Sequence, residues 1–277
     1  MIDILLEMVS YPFLKNAIIV GVLVSLCAAL LGVSLVLKRY SMIGDGLSHV
    51  GFGTLAIATA MNVAPLMVSI PIVVLTAFLL LRLSENSKIK GDAAIALIST
   101  SSLAIGVVVI SFTTGMNTDV CNYMFGSILA MKTSDVALSI VLAVVVLTLF
   151  VLFYNKIFAV TFDETFTKAT GTNAELYNML IAFLTAITIV LGMRMMGALL
   201  ISSLIIFPAL TSMRVCKKFR TVTICSAFIS VICFIIGLTI SFVYATPTGA
   251  SVVLVNIVAF ILFWVTRVVT YSRLTKI

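Results

Sequence analysis

Charged side chains are scarce in this 277-residue chain. Lysine and arginine number 17 and aspartate and glutamate 10, so charged residues make up 10% of the sequence, against 62% hydrophobic residues. Soluble domains carry about 25% charged residues, and disordered chains combine low hydrophobicity with high charge. The composition therefore excludes both classes and predicts a protein embedded in a lipid bilayer.

Residues with metal-binding and nucleotide-binding chemistry are also few. The chain has one histidine, and its five cysteines include no Cys-x-x-Cys pair. It lacks a glycine-rich loop that ends in Lys-Ser or Lys-Thr. We therefore expect no cysteine-rich zinc cage, no disulfide framework and no phosphate-binding loop. The chain is not expected to be an enzyme or to hydrolyse ATP by itself.

Long apolar runs dominate the rest of the sequence. A membrane span needs about 20 apolar residues. The predicted spans are residues 13–37, 43–62, 65–83, 92–113, 135–155, 174–193, 197–213, 221–244 and 250–267. They predict an all-α, polytopic membrane bundle of about 8–9 transmembrane helices that forms a single domain over residues 1–277. The run 197–213 is short and contains Pro208, so a partial or broken helix is the alternative there.

The basic residues orient these spans. With the N-terminus outside and the C-terminus in the cytoplasm, only Lys15, Lys132 and Arg194 of the 17 basic residues lie outside. The opposite orientation would violate the positive-inside rule. The predicted topology places the chain in the cell membrane and leaves an outer segment at 114–134 and a cytoplasmic loop at 156–173.

Asp45 and His49 form the strongest candidate site. A spacing of four places both on one face of a helix, and an ionisable residue within a span normally faces a cavity or a partner. Carboxylate and imidazole suit a divalent ion such as zinc or manganese. Two ligands make an incomplete site, but two copies of the chain facing each other would supply four. Alternatively, Asp45 caps the second span and His49 only packs.

Small or polar residues form a stripe on the fourth span, where Asp92, Ser99, Ser102 and Gly106 follow a 7-3-4 spacing. The sixth span repeats this spacing from Asn178 onward. One interpretation is the lining of a translocation path, with Asp92, Ser99 and Ser102 as the candidates. The other is close packing of helices through small residues, which is common in membranes.

The cytoplasmic loop contains a compact set of acidic, aromatic, basic and glycine residues: Asp163, Glu164, Phe166, Lys168 and Gly171. The segment 162–171 can form a short amphipathic turn with Phe162 and Phe166 on one side. Such a helix can dock into a groove on a partner protein. The alternative is a solvated connector, and the pattern alone does not decide between them.

Five segments carry motifs in a fixed order along the chain. They are KRYSMIGDGLSHVGFGTLAIA (38–58), TDVCNYMFGSILAMKTSDV (118–136), FDETFTKATGTN (162–173), MMGALLISSLIIFPALTSMR (195–214) and YATPTGASVVLV (244–255). Together they resemble the zinc/manganese permease subunits of bacterial ABC importers. One departure is Gly51-Phe52-Gly53. Many members have the sequence Leu-Pro-Gly at this position, so the local bend of the helix is the feature that this departure affects.

The resemblance implies a permease that imports Zn²⁺, with Mn²⁺ or iron as alternatives, and that holds no permanently bound cofactor. It implies a homodimer, cytoplasmic ATPase subunits that bind ATP, and an extracellular or periplasmic metal-binding protein. Asp45 and His49 become metal ligands, and 163–171 becomes the ATPase-coupling loop. The preference for zinc comes from the phrase at 244–255. An ATP-independent secondary transporter or channel is the alternative of another class.

Overall fold

The computed structural model describes residues 10–86, 91–112 and 133–274, with the side chains of 84–86, 133–135, 194–195 and 269–274 excepted. Over these ranges the chain is helical and contains no strand, so the predicted all-α class is confirmed. The helices are α1 (Pro12–Leu37), α2 (Ile43–Ala60), α3 (Pro65–Asn86), α4 (Gly91–Phe112), α5 (Thr133–Leu152), α6 (Tyr154–Phe162), α7 (Glu164–Ala169), α8 (Ala174–Met196), α9 (Ala198–Val215), α10 (Phe219–Tyr244) and α11 (Thr248–Leu274). The predicted outer segment 114–134 lies almost wholly outside the described residues.

Seven of these helices are long and apolar enough to cross a membrane: α1, α3, α4, α8, α9, α10 and α11. Helices α5 and α6 are bent by 69° and count together as one broken candidate, which brings the number to eight. Helix α2 is not in this group, because Asp45, His49 and several glycines dilute its apolar residues. The predicted count of eight to nine therefore depends on whether α2 is also a span.

Helices α1 and α8 form the centre of the bundle. The buried share is 67% for the apolar stretch of α1 and 72% for that of α8, against 22% for both α4 and α11. A helix that is apolar all round is buried in protein or faces lipid. Helices α4 and α11 therefore present most of their surface outward, and α4 packs its inner face against α2.

Small residues bring α1 close to its neighbours. The Ser230 hydroxyl of α10 donates a hydrogen bond to the Ser25 carbonyl of α1 over 3.0 Å, and Gly32 lies directly against the backbone of α9 at Ile205. Membrane helices associate through small residues and interhelical hydrogen bonds, because lipid gives them no hydrophobic drive to pair. These contacts hold α1 at the centre of the helix bundle.

The predicted cytoplasmic loop 156–173 is largely helical, since it contains the end of α6 and all of α7. The expectation of one amphipathic turn carrying Phe162 and Phe166 together is wrong. Asp163 is extended (φ −148°, ψ 96°), and its side chain accepts a hydrogen bond from the Phe166 N–H. Asp163 is therefore the N-cap of a new helix, and it separates the two phenylalanines.

Helix α9 continues through Pro208 to Val215, so the partial-helix alternative for 197–213 is wrong. A single residue, Gly197, separates α8 from α9 and has φ +87° and ψ 159°. This backbone region is essentially restricted to glycine. Gly197 therefore permits the change of direction between the two helices.

Candidate metal site

Asp45 and His49 lie in the first two turns of α2 and face each other. The Asp45 Oδ2 and His49 Nε2 atoms are 3.7 Å apart, and the two side chains are 43% and 22% exposed. Both side chains can therefore be reached by an ion. The structure places the two predicted ligands on one helical face.

The capping role considered for Asp45 does not match the structure. Helix α2 follows Met42 without a side-chain hydrogen bond at the cap. The buried Ser48 hydroxyl donates to the Asp45 main-chain carbonyl over 2.7 Å, so Ser48 serves the helix backbone. Because the start of a helix favours negative charge, the first turn of α2 is a suitable position for the Asp45 carboxylate.

The separation of the two donors fits a shared divalent ion. Donors that each lie about 2.1 Å from a tetrahedral ion are about 3.4 Å apart, close to the 3.7 Å between Oδ2 and Nε2. Within the described residues, however, no group of three or more His, Cys, Asp and Glu side chains could hold a metal. One chain therefore offers half of a tetrahedral set at this position.

Helix α9 closes one side of the candidate site. The Ser202 side chain lies close enough to interact with the Asp45 carboxylate. A Cβ atom added at Gly44 would lie 3.0 Å from the Ile205 side chain of α9. Helix α9 therefore packs against the first turn of α2 through the Ile205 side chain.

Gly51 and Gly53 do not interrupt the helix that carries the site. Helix α2 runs without interruption from Ile43 to Ala60. A Cβ at Gly51 would come within 2.7 Å of the Met193 side chain, and one at Gly53 would come within 2.6 Å of the Ser102 carbonyl oxygen. Both glycines are positions of close packing, against α8 and α4 respectively.

The predicted path-lining residues lie along α4, next to α2. Asp92 is in the first turn of α4 and lines a cavity of about 550 Å³ whose wall also includes Lys38, Arg39 and Tyr40. Ser99 is half-buried, and the backbone of Ser102 lies against Gly53. The cavity adjoins the start of α2. The lining role of Asp92, Ser99 and Ser102 stays a prediction.

The corresponding small and polar residues of α8 make hydrogen bonds and packing contacts within this chain. The Thr185 and Thr188 hydroxyls donate to carbonyls one turn earlier, over 2.7 and 2.8 Å. A Cβ at Gly192 would lie 2.4 Å from the Ile201 side chain. This geometry is typical of close helix packing.

Helix α7 presents Phe166 outward at the end of the molecule that holds Lys38. The Phe166 side chain is 65% exposed, while its main-chain N–H donates to Asp163 Oδ1 over 2.8 Å. An apolar ring on a short capped helix is a surface that a partner protein could cover. Among the predicted loop residues, Phe166 is the one with the largest apolar exposure.

Glu164 points the other way, into the bundle. Its Oε2 accepts a hydrogen bond from the Asn178 side chain over 2.9 Å and lies 3.5 Å from the Lys38 Nζ. Its Oε1 lies 2.8 Å from the Lys168 Nζ. Glu164 therefore fastens α7 to α1 and α8.

These partners control the ionisation of Glu164. Burial raises the pKa of Glu164, but hydrogen bonds from Lys168 and Asn178 and the positive charges of Lys38 and Lys168 outweigh burial. The pKa of Glu164 consequently lies below its ordinary value, and the carboxylate stays charged at neutral pH.

The remaining loop residues have local structural roles. Lys168 pairs with Glu164 one turn away. Gly171 has φ +78°, and a Cβ atom there would meet nothing within 4 Å. Its N–H donates to the Lys168 carbonyl, and the Thr172 N–H donates to the Thr167 carbonyl. This is the glycine-ended turn that commonly closes a helix.

Two residues around Glu164 were not predicted as functional. Lys38 entered the sequence argument only as one of the 14 basic residues assigned to the cytoplasmic side, and Asn178 only as the start of a stripe. The Lys38 ammonium donates a hydrogen bond to Asn178 Oδ1, across 140 positions of sequence. A buried amide in an apolar segment was the available signal, because such a group needs a polar partner.

Comparisons with known proteins agree on one group. The sequence model of the ABC 3 transport family matches residues 10–267. The chain is 27% identical to the manganese transport system membrane protein MntC of Halalkalibacterium halodurans, covering 90% of this chain and 85% of that protein. It is 29% identical to the high-affinity zinc uptake system membrane protein ZnuB of Haemophilus influenzae, covering 91% and 97%.

A solved structure shares the architecture. The chain superposes on PsaBC from Streptococcus pneumoniae in complex with Fab with a TM-score of 0.85 and 27% identity. The match covers 95% of each chain. The arrangement of helices around α1 and α8 is therefore that of an experimentally determined relative.

Proposed function

This chain belongs to the ABC 3 transport family, and on that premise we propose that it is the permease subunit of an ATP-driven importer of divalent metal ions. It is a multi-pass protein of the cell membrane, as the apolar helices and the family both indicate. ATP hydrolysis belongs to a separate ATPase subunit, and the whole chain acts as one transmembrane domain.

The observation that carries the proposal is the Asp45–His49 pair of α2. A bare dication cannot enter the bilayer core, so protein ligands must replace its water shell. Carboxylate oxygen and imidazole nitrogen are suitable ligands for first-row divalent ions. The 3.7 Å separation of Oδ2 and Nε2 allows both to bind one ion.

A second copy of the chain completes the site. Since one chain contributes two donors, a homodimer that brings two α2 helices together would supply two carboxylates and two imidazoles. An ion held between two chains can be released when they move apart. A permanent cage in one chain would hold zinc too tightly for transport.

The partners follow from the two ends of the path. An extracellular or periplasmic metal-binding protein delivers the ion from outside. The ATPase subunit docks on α7, with the exposed Phe166 as its anchor and Asp163, Glu164, Lys168 and Gly171 shaping the helix. This arrangement requires the N-terminus outside and the C-terminus inside, with α2 counted among eight or nine spans.

Zinc is the proposed cargo, supported by the phrase at 244–255, which resembles zinc-type permeases. Manganese is the second candidate, supported by relatives such as MntC, whose name states manganese transport. Iron is a further candidate within the family. Asp45 and His49 suit all three ions.

Metal content of cells tests the proposal. Zinc, manganese and iron are measured by mass spectrometry in a strain lacking this chain, grown under metal limitation without a redundant importer. We expect zinc to fall selectively and to recover when the chain is restored. A selective fall in manganese or iron would replace zinc as the cargo, and no change in any metal would refute divalent metal import.

An experiment with purified components distinguishes an ATP-driven importer from a secondary transporter or channel. The chain is reconstituted into vesicles with the metal-binding protein, and with and without its ATPase subunit and ATP. We expect uptake only with both present. Equal uptake by the chain alone would contradict the ATP-driven mechanism.

A further inference from the structure

The inner face of α7 is joined to two membrane helices by a closed triangle of side chains. Glu164 of α7 accepts a hydrogen bond from Asn178 of α8 over 2.9 Å and pairs with Lys38 at the end of α1 over 3.5 Å. Lys38 in turn donates a hydrogen bond to Asn178. Each of the three side chains therefore contacts the other two.

Two members of the triangle are largely buried, and the third, Glu164, is 32% exposed. Asn178 is 2% exposed, and the Lys38 side chain is 10% exposed. Loss of one member of a buried charged set leaves the others without compensation. The Lys38 ammonium is consequently committed to this contact and has little surface to offer an ATPase subunit.

Lys38 also lies at the C-terminal end of α1, directly before a tight turn. It is the C-cap of α1, and the next residue, Arg39, has φ +62°. The Tyr40 N–H donates to the Leu35 carbonyl over 2.8 Å, which locks the turn against α1. This is the left-handed turn that closes many helices, here made with an arginine.

The same turn is hydrogen-bonded to the start of α2. The Tyr40 carbonyl accepts a hydrogen bond from the Ile43 N–H over 3.0 Å, and the Met42 carbonyl accepts one from the Gly46 N–H over 3.0 Å. Ile43 begins the turn that contains Asp45. Backbone hydrogen bonds therefore fix the short segment between the end of α1 and the first turn of α2, and Lys38 and Asp45 lie at its two ends.

We propose that Lys38 is a positioning residue that links displacement of α7 to the first turn of α2, and so to the geometry of Asp45 and His49. This inference rests on the proposed function. In this arrangement Phe166 receives the movement of the ATPase on one side of α7, and Glu164 passes it to Lys38 on the other. Asn178 is hydrogen-bonded to both charged groups and fixes their relative position.

A residue that only stabilises the structure would behave differently from a positioning residue. Removing a stabilising residue lowers the amount of assembled complex, but each assembled complex still moves the same number of ions per ATP. Removing a positioning residue leaves ATP hydrolysis running while the ions moved per ATP fall. The ratio of transported metal to hydrolysed ATP therefore distinguishes the two roles.

The experiment uses the full chain with its ATPase subunit and metal-binding protein in vesicles, with Zn²⁺ and Mn²⁺ offered separately. Lys38→Met keeps an unbranched side chain that is one atom shorter and removes the charge. We expect ATP hydrolysis to stay within about twofold, and metal moved per ATP to fall about tenfold, an effect in the range of typical coupling between two sites. Lys38→Arg, which keeps the charge, is expected to restore most of the ratio.

Lys217→Met serves as the matched control, since it removes an exposed lysine between α9 and α10. Its ratio should equal that of the wild type. Glu164→Gln, at the other end of the ion pair, should lower the ratio as Lys38→Met does, and it provides a second variant if one assembles poorly. A wild-type ratio in the assembled fraction of both variants would overturn the inference. Absence of ATP-driven uptake by the wild type would instead refute the proposed function.

Discussion

Gly32 of α1 and Ile205 of α9 are in backbone contact. A Cβ atom added at Gly32 would lie 2.0 Å from the Ile205 carbonyl oxygen and 2.9 Å from the carbonyl carbon. The atoms in the way belong to the backbone, so they cannot rotate aside as a side chain can. The distance between the two helices thus depends on the hydrogen atom that glycine has in place of a side chain.

Gly32→Ala is expected to destabilise the protein by about 1–3 kcal/mol, the usual range for overpacking, because α1 must move away from α9. The melting temperature of the purified complex measures this. Gly44→Ala is the matched control, since its Cβ would meet only the flexible Ile205 Cδ1 atom at 3.0 Å. Equal melting temperatures for the two variants would contradict the predicted backbone clash.

Asp45→Ala or His49→Ala should reduce metal uptake by more than about 100-fold, since the loss of even an outer-shell partner costs 10–100-fold in metal affinity or activity. The complex with the ATPase should still assemble, because both side chains are partly exposed. Thr59→Ala, at the exposed far end of α2, should transport normally. Normal uptake by the Asp45 and His49 variants would refute the site.

Phe166→Ala should weaken binding of the ATPase subunit by about tenfold or more, the size expected for an aromatic anchor. Its side chain is 65% exposed, so the fold of the permease should not change. Co-purification and a binding titration measure the effect. Phe112→Ala removes an 84% exposed ring on α4 and should bind the ATPase normally; if the two variants bind equally, Phe166 is not the anchor.

Asp163→Ala removes the N-cap of α7 and should cost about 1 kcal/mol of local stability, because the Phe166 N–H loses its 2.8 Å acceptor. Hydrogen exchange of the 164–170 amides should then quicken about fivefold. Asp163→Asn and Asp163→Ser keep an acceptor oxygen and should exchange nearly as slowly as the wild type. Unchanged exchange in the alanine variant would show that the cap does not hold α7.

The anchoring of α7 should depend on pH through Glu164. Its pKa is lowered from the ordinary 4.5, so its contribution to stability is fully present above that value and is lost as the pH falls through the lower folded-state pKa. Exchange of the α7 amides, corrected for intrinsic rates, should rise over this acidic interval in the wild type. Glu164→Gln should show no such step, and an identical step in both proteins would assign it to another group.

The spans were predictable because the thickness of the bilayer sets the length of an apolar run. The run predicted at 221–244 is the helix Phe219–Tyr244, and the run predicted at 174–193 is Ala174–Met196. The pairing of Asp45 with His49 was also predictable, since a helix brings positions four apart onto one face. Both inferences use only local periodicity and composition.

The loop was harder to predict, because polar residues suit a connector and a short helix equally well. Asp163 decides the matter through one hydrogen bond to the Phe166 N–H. That bond sets where α7 begins, and in this helix Phe166 is exposed while Glu164 contacts Lys38 and Asn178. Residue type alone did not indicate which of the two would face inward.

What the sequence determined by itself was a helical membrane protein of a known transport family, with one acid and one imidazole on a shared helical face. Only the tertiary structure decided that Glu164 contacts Lys38 and Asn178. Lys38 and Asn178 are 140 positions apart, and no periodic pattern pairs the two. The packing of α1 against α8 brings them together, and burial then requires each polar group to find a partner.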